Sequence, residues 1–310
     1  MNIIVTGCAG FIGSHMVDLL LEEGHNVIGI DCFTYAGKVT NIQHHYDNPN
    51  FEIVNCDICN TEKILSWCNY QKIDWIINFA AETHVDNSIK DCGPFIHSNI
   101  NGVKSLLDVC MKMGTKLFHI STDEVYGSTL NESFLESDSL MPGNPYSATK
   151  AAGEHLITSY HHTYGVTYKM VRMSNNFGPR QDSEKFIPTI IRSIRGGKKI
   201  PVYGTGENVR DWIFVKDCCR MISDVLHHGV ENETYNLSLK NEMRNIDLIR
   251  EITETMRSSF DDCVMYVKDR AGHDFRYSID NSKYMKVGSV NPTIFSEAIA
   301  QTAEYYEKKK

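Results

Sequence analysis

The chain lacks any run of about 18 uncharged apolar residues, so no membrane-spanning helix is expected. No basic flank precedes Ile3, Ile4 and Val5, so no leader peptide is expected. Basic residues are in the minority, 31 Lys and Arg against 39 Asp and Glu for a formal charge of −8. No stretch is dense enough in them to track a phosphate backbone, which argues against a nucleic-acid partner. A second CxxC is missing as well. Cys56-Asp57-Ile58-Cys59 stands alone, and Cys8, Cys32, Cys110 and Cys263 are scattered through apolar runs. The thiols read as small buried hydrophobes in a reducing compartment, not as a disulfide frame or a zinc site. The pairs His44-His45, His161-His162 and His227-His228 cannot each turn both rings to one ligand from a strand or helix, and no metal is expected. Internal repeats are absent. What remains is a soluble, cytoplasmic globular protein, large enough at 310 residues for a nucleotide-binding domain and a smaller lobe.

What is present is a regular alternation. Short apolar runs at Ile3 to Thr6, Asn26 to Ile30, Phe51 to Cys56, Trp75 to Phe79, Lys116 to Ser121 and Tyr168 to Val171 are separated by segments of helical length. The runs are nearly continuous in apolar residues, as in strands covered by helices on both faces. The pattern predicts an α/β fold with a doubly wound parallel sheet. From about Asn175 the chain turns to loops and helices punctuated by Gly and Pro. The division expected is a dinucleotide-binding domain over residues 1–175 and a smaller, mainly substrate-binding lobe over residues 176–310. A strand at Thr234 to Leu237 and a helix are expected to return to the sheet.

Three clusters carry chemistry. Gly7, Gly10 and Gly13 follow the first strand and open an amphipathic helix, which lets backbone approach a pyrophosphate at a positive helix N-terminus. Asp31 ends the second strand eighteen residues after Gly13, where a carboxylate can accept both ribose hydroxyls. Cys32 and Phe33 follow it in place of an arginine, so a 2′-phosphate would meet uncompensated negative charge and NAD is expected over NADP. Asp57 can cap the adenine amino group, and Ala80 and Ala81 allow close passage of the cofactor. Tyr146 and Lys150 lie four apart at the start of a helix predicted over Pro145 to Tyr164, so they share a face, and the lysine cation can stabilise a phenolate. Asp123 and Glu124, directly after an apolar strand, suggest proton chemistry.

These residues resemble the extended short-chain dehydrogenase/reductase family, and within it the nucleotide-glucose 4,6-dehydratases that act on dTDP-glucose or UDP-glucose. The resemblance runs through Thr6 to Ser14, Thr34-Tyr35-Ala36-Gly37, Ala80 to Asp86, Ser121 to Gly127, Pro145 to Ala152, Ser174 to Pro179, Asn208 to Trp212 and Gly272-His273-Asp274. It implies Tyr146 as the base at the sugar 4-hydroxyl, with Lys150 beside it and Thr122 on the same oxygen. Glu124 would take the C5 proton and Asp123 would protonate the departing C6 hydroxyl. The resemblance adds Phe11, Ile12, Ile58, Asn99 and Ser121 to the cofactor site. It assigns His84, Asn175, Asn176, Glu184, Lys185, Tyr203, Asn208, Arg210, His273 and Tyr277 to the nucleotide sugar, and implies a homodimer built on Asn99 to Met113 and Ala148 to Tyr164.

The chain departs from the family at Cys32, where a lysine is common, at Asn87 and Ala271, and at Lys286-Val287-Gly288-Ser289. The first departure implies a missing adenine-side contact and weaker NAD binding. The short link from Gly127 to Tyr146 leans towards UDP-glucose. An epimerase or decarboxylase of the same family, or a dinucleotide sensor without catalysis, are the competing readings. The paired acids stand against the first two and the intact Tyr/Lys pair against the third.

Overall fold

A computed structural model describes residues 1–68, 72–269 and 274–308. His273, Gly272 and Ala271 lie outside the described residues. The strands, in chain order, are β1 (Asn2–Thr6), β2 (Asn26–Asp31), β3 (Phe51–Asn55), β4 (Trp75–Asn78), β5 (Lys116–Thr122), β6 (Tyr168–Met173), β7 (Asn175–Phe177), β8 (Ile200–Tyr203), β9 (Val209–Phe214), β10 (Glu233–Leu237), β11 (Glu242–Arg244) and β12 (Val264–Val267). A seven-stranded sheet takes the order β10-β6-β5-β4-β1-β2-β3, and every pairing in it is parallel. The first six strands fall within one residue or two of the apolar runs, and β10 brings the chain back to the edge of the sheet beside β6.

The apolar runs are continuous because both faces of the sheet are buried. Ile3 and Val5 of β1, Ile77 of β4 and Phe118 of β5 point into one core cluster. Their neighbours Ile4, Ile76 and Leu117 point into the other. This is the two-residue period of a strand, with an apolar residue needed on each side.

Two helices differ in how far the sequence marks them. The Pro145–Tyr164 helix has the bounds the pattern predicts. Asn144 accepts from Ser147 N at 2.9 Å while Ser147 Oγ accepts from Asn144 N at 3.3 Å, Pro145 occupies the first turn, and Gly165 ends the helix at φ 71°. The helix expected from Asn99 begins instead with a π-helical segment, Ile96–Gly102, before Val103–Met113 continues as α-helix.

Beyond β6 the smaller sheets carry candidate site residues. In one, β9 pairs with β7 in parallel and with β11 antiparallel. In the other, β8 and β12 pair in parallel. They place Asn175 and Asn176 on β7, Tyr203 at the end of β8 and Arg210 on β9. Among the described residues no helix is long and apolar enough to cross a membrane.

Candidate active site

The paired acids stand on a 3₁₀ turn, Asp123–Tyr126, at the carboxyl end of β5. Thr122 caps it, its Oγ1 accepting from Glu124 N at 3.3 Å and donating to Asp123 Oδ1 at 3.2 Å. Asp123 is 3% exposed, and its Oδ2 is buried without a hydrogen-bond partner. Burial first, and then the Glu124 charge, push the Asp123 carboxyl up to about 8, with Arg210 opposing. Glu124 is also raised by burial, but Asn144, Arg210 and Lys185 pull it back. Asn144 Nδ2 donates to Glu124 Oε2 at 3.2 Å. The turn therefore holds two acids raised by burial, one pushed up to about 8 with an unpartnered oxygen and one whose rise is checked by an amide donor and nearby cations.

Tyr146 and Lys150 are both buried on the Pro145–Tyr164 helix. Lys150 Nζ donates to the Ile120 carbonyl at 2.6 Å, and burial pulls its ammonium down to about 8 against the pull of Glu154. Burial, Glu124 and Asp123 raise the Tyr146 phenol, and a hydrogen bond with Thr122 acts the other way. The lowered phenol expected from the Tyr/Lys spacing is therefore not produced by the chain's own groups. In this geometry the lysine cation is committed to Ile120.

A cavity of about 600 Å³ runs from the glycine turn to this pair. Gly7, Gly10, Phe11, Ile12 and Gly13 form its floor, with Asp31, Asp57 and Ile58 at one end. Ala80 and Ala81 line the middle, and Ser121, Tyr146 and Lys150 the other end. The cradle depends on missing side chains. Gly7 has φ +64°, and a Cβ there would lie 2.7 Å from Ala80 N, while one on Gly13 would lie 2.2 Å from the Gly7 carbonyl oxygen. Asp31 Oδ2 accepts from Ala9 N at 2.9 Å and Oδ1 from Phe33 N at 2.8 Å. A carboxylate has about four acceptor positions, so two remain for ribose hydroxyls. The cavity fits a dinucleotide.

A second cavity, of about 310 Å³, adjoins the first. His84, Glu184 and Lys185 line both, so the two meet at these residues. Glu124, Asn175, Asn176, Tyr203, Arg210 and Tyr277 line the second alone. His84 Nδ1 and Asn176 Oδ1 are buried without partners, and Lys185 Nζ donates to the Thr83 carbonyl at 3.1 Å. The Arg210 guanidinium lies 4.3 Å from the Tyr277 ring centroid and donates to the Asp274 carbonyl at 2.9 Å. One face of Tyr277 is thus covered by Arg210, and Tyr203 is partly exposed.

Four expected residues line neither cavity: Thr122 and Asp123, at the turn after β5, and Asn99 and Asn208. Asn99 is 2% exposed. Its Oδ1 accepts from Glu82 N and its Nδ2 donates to the Glu82 carbonyl, both at 3.0 Å. It also donates to Thr149 Oγ1 at 3.0 Å, so it pins the loop after β4 to the Pro145–Tyr164 helix. Asn208 donates to the Asp274 carbonyl at 3.2 Å and is buried. Other residues enter only through the fold. Tyr35 donates to Glu82 Oε2 at 3.1 Å, and Lys38 pairs with Asp182 at 3.2 Å, which straps the 34–38 loop across the first cavity.

The model of the family described as GDP-mannose 4,6 dehydratase matches residues 4–302. A low-salt glycan biosynthesis protein of Haloferax volcanii is 41% identical over 308 residues, 99% of this chain and 98% of that protein. The dTDP-glucose 4,6-dehydratase of Escherichia coli is 37% identical over 342 residues, 100% of this chain and 94% of that one. A solved double mutant of dTDP-glucose 4,6-dehydratase from Streptomyces venezuelae, with NAD bound, aligns with a TM-score of 0.94 at 36% identity. The alignment covers 99% of this chain and 97% of that one.

Proposed function

This chain belongs to the family described as GDP-mannose 4,6 dehydratase, and from that membership we infer that it is an NAD-dependent nucleotide-sugar 4,6-dehydratase, a hydro-lyase acting on dTDP-glucose or UDP-glucose. The observation that carries the reading is the Asp123 carboxyl, buried, held protonated and with one oxygen unpartnered beside Glu124. Removal of water from neighbouring carbons needs one acid to lose a proton and another to gain one. Here burial raises both neighbours, and the Asn144 donor and the Lys185 cation that check the rise at Glu124 are not felt at Asp123, which separates the two roles.

When bound, NAD supplies the hydride acceptor and donor next to the sugar. The chain's own residues do the rest. Tyr146 takes the proton of the 4-hydroxyl, steadied by Thr122. Burial and the acids keep the phenol protonated in the chain alone, so its ionisation needs a cation, the role that falls to Lys150 one helical turn on. The 4-ketone acidifies C5. Glu124 removes the C5 proton and Asp123 delivers its proton to the leaving C6 hydroxyl. Because Asp123 must be protonated to act, burial beside a second carboxyl serves the step directly. Arg210, Lys185 and Asn176 face the cavity where a diphosphate would lie, and a guanidinium already fixed by carbonyls and a ring loses little freedom on binding.

Two observations pull apart on the base. The short link between Gly127 and Tyr146 leans to uracil, while the Escherichia coli and Streptomyces venezuelae relatives carry dTDP-glucose in their names. One methyl group in a pocket is worth about 1–3 kcal/mol, so few contacts decide it. A homodimer through the Pro145–Tyr164 and Val103–Met113 helices is part of the reading and is checked by the mass of the protein in solution.

The test is mass spectrometry of the purified protein incubated separately with UDP-glucose and dTDP-glucose without added reductant. A product one water lighter, with one nucleotide preferred, is expected. No change of mass with either sugar sinks the reading, and conversion of UDP-glucose to UDP-galactose at constant mass would replace it with epimerisation.

A further inference from the structure

The Pro145–Tyr164 helix carries a third buried polar residue in the row begun by Tyr146 and Lys150. Glu154 lies one turn beyond Lys150 and is 2% exposed. The two successive turns grip two successive residues of β5. Lys150 donates to the Ile120 carbonyl, and Ser121 Oγ donates to Glu154 Oε1. Ser121 and Lys150 both line the larger cavity. From the other side Arg172 of β6 clamps the carboxylate, donating to Oε2 from Nη2 at 2.6 Å and from Nε at 3.0 Å. Arg172 Nη1 donates to the Tyr126 hydroxyl at 2.6 Å, and that hydroxyl donates to Asn236 Oδ1 at 2.9 Å. Tyr126 ends the turn that holds Asp123 and Glu124.

Resting on the dehydratase reading, we propose that Glu154 is a positioning residue for the reaction. Clamped by Arg172, it fixes Ser121 beneath the cofactor beside Lys150 and, through Arg172 and Tyr126, anchors the turn of paired acids.

A buried ion pair is by itself weak evidence of a stabilising role, because apolar side chains of the same volume often serve as well. What an apolar pair cannot do here is accept the Ser121 hydroxyl or oppose the charge of Lys150. The groups facing Lys150 are few. Tyr146 precedes it on the helix, and His119 of β5 is held neutral by its own burial and by the lysine. Glu154 is the carboxylate that favours the charged amine against burial.

The test follows the titration of Lys150 in the cofactor-free protein by NMR of Cε-labelled lysine, assigned with Lys150→Met, alongside the dissociation constant for NAD. In Glu154→Gln/Arg172→Gln, which removes both charges, the Lys150 midpoint is expected to fall by about one pH unit. NAD is expected to bind about tenfold more weakly. Glu154→Asp keeps the charge and is expected to restore the midpoint while binding NAD less tightly than wild type, because the shorter side chain draws back from Ser121. An unchanged midpoint and unchanged NAD affinity in the double variant overturn the proposal. Should that variant not fold, Glu154→Asp decides alone, and wild-type NAD affinity in it overturns the proposal. The dehydratase reading fails separately, in wild-type protein that yields no lighter sugar, since the lysine titration is read without substrate.

Discussion

Asp123 and Glu124 are neighbours on one turn, yet the protein partners them differently. Asp123 Oδ2 is buried with no hydrogen-bond partner, whereas Glu124 Oε2 accepts from Asn144 Nδ2 at 3.2 Å. Two carboxyls this close cannot both ionise freely, and the one with a buried oxygen that no donor reaches keeps the proton. The pair is a ready acid and a ready base, which is what loss of water across two adjacent carbons requires.

The double variant Asp123→Asn/Glu124→Gln removes both proton functions at nearly constant volume. Formation of the dehydrated sugar is expected to fall by at least about a hundredfold. The affinity for NAD is expected to stay near that of wild type, because neither residue lines the larger cavity. Mass spectrometry of the product and a binding titration read the two quantities. Full product from this variant would remove the acids from the mechanism.

Asp31 ends β2 with two acceptor positions spare, and Cys32 after it offers no cation. NADP is therefore expected to bind at least about tenfold more weakly than NAD. Asp31→Ala/Cys32→Arg should narrow or invert that ratio, since a guanidinium then meets the 2′-phosphate. Dissociation constants for both dinucleotides, in wild type and variant, check it.

The central sheet was legible because its strands need apolar residues on both faces. The helix at Pro145 was legible because Asn144, Pro145 and Gly165 mark its two ends. The smaller sheets were not, apart from the residues they carry. β7 and β11 are three residues long, too short for a period to show, and they form only because distant segments pair with β9. The π-helical turn before Val103 leaves no mark in apolar spacing. At the site, the residue types were legible and their partners were not. That Arg210 covers Tyr277, that Lys150 turns to Ile120, and that Asn99 holds Glu82 and lines neither cavity depend on contacts between segments far apart in the chain. The upward shift of the Tyr146 phenol has the same origin, since it arises from burial among the acids.

Asn99 provides a test of that distinction. Asn99→Ala strips a part-buried N–H and C=O of Glu82 of their partners at once. A loss of about 1–3 kcal/mol in stability is expected. NAD affinity should fall as well, because Ala80 and Ala81 immediately precede the loosened residue. Asn99→Asp retains the acceptor for Glu82 N and should recover part of both. If the alanine variant loses NAD affinity with no change in melting temperature, Asn99 contacts the cofactor directly.

The raised Asp123 carboxyl also has a signature that needs no substrate. An acid whose folded pKa lies near 8, against about 3.9 in the unfolded chain, binds its proton more tightly when folded. Its contribution to stability is complete below about pH 4 and is lost as pH rises towards about 8, above which both states are ionised and the loss levels off. Asparagine does not titrate. The melting temperature of Asp123→Asn relative to wild type should therefore climb through that window and then flatten, whatever constant offset the amide introduces. Glu124, raised in the same direction, remains in both proteins, so its own titration largely cancels in the difference. Melting curves of the two proteins at a series of pH values read the slope. A flat difference across the window would mean that Asp123 is ionised in the folded protein, and the general acid would have to be sought elsewhere.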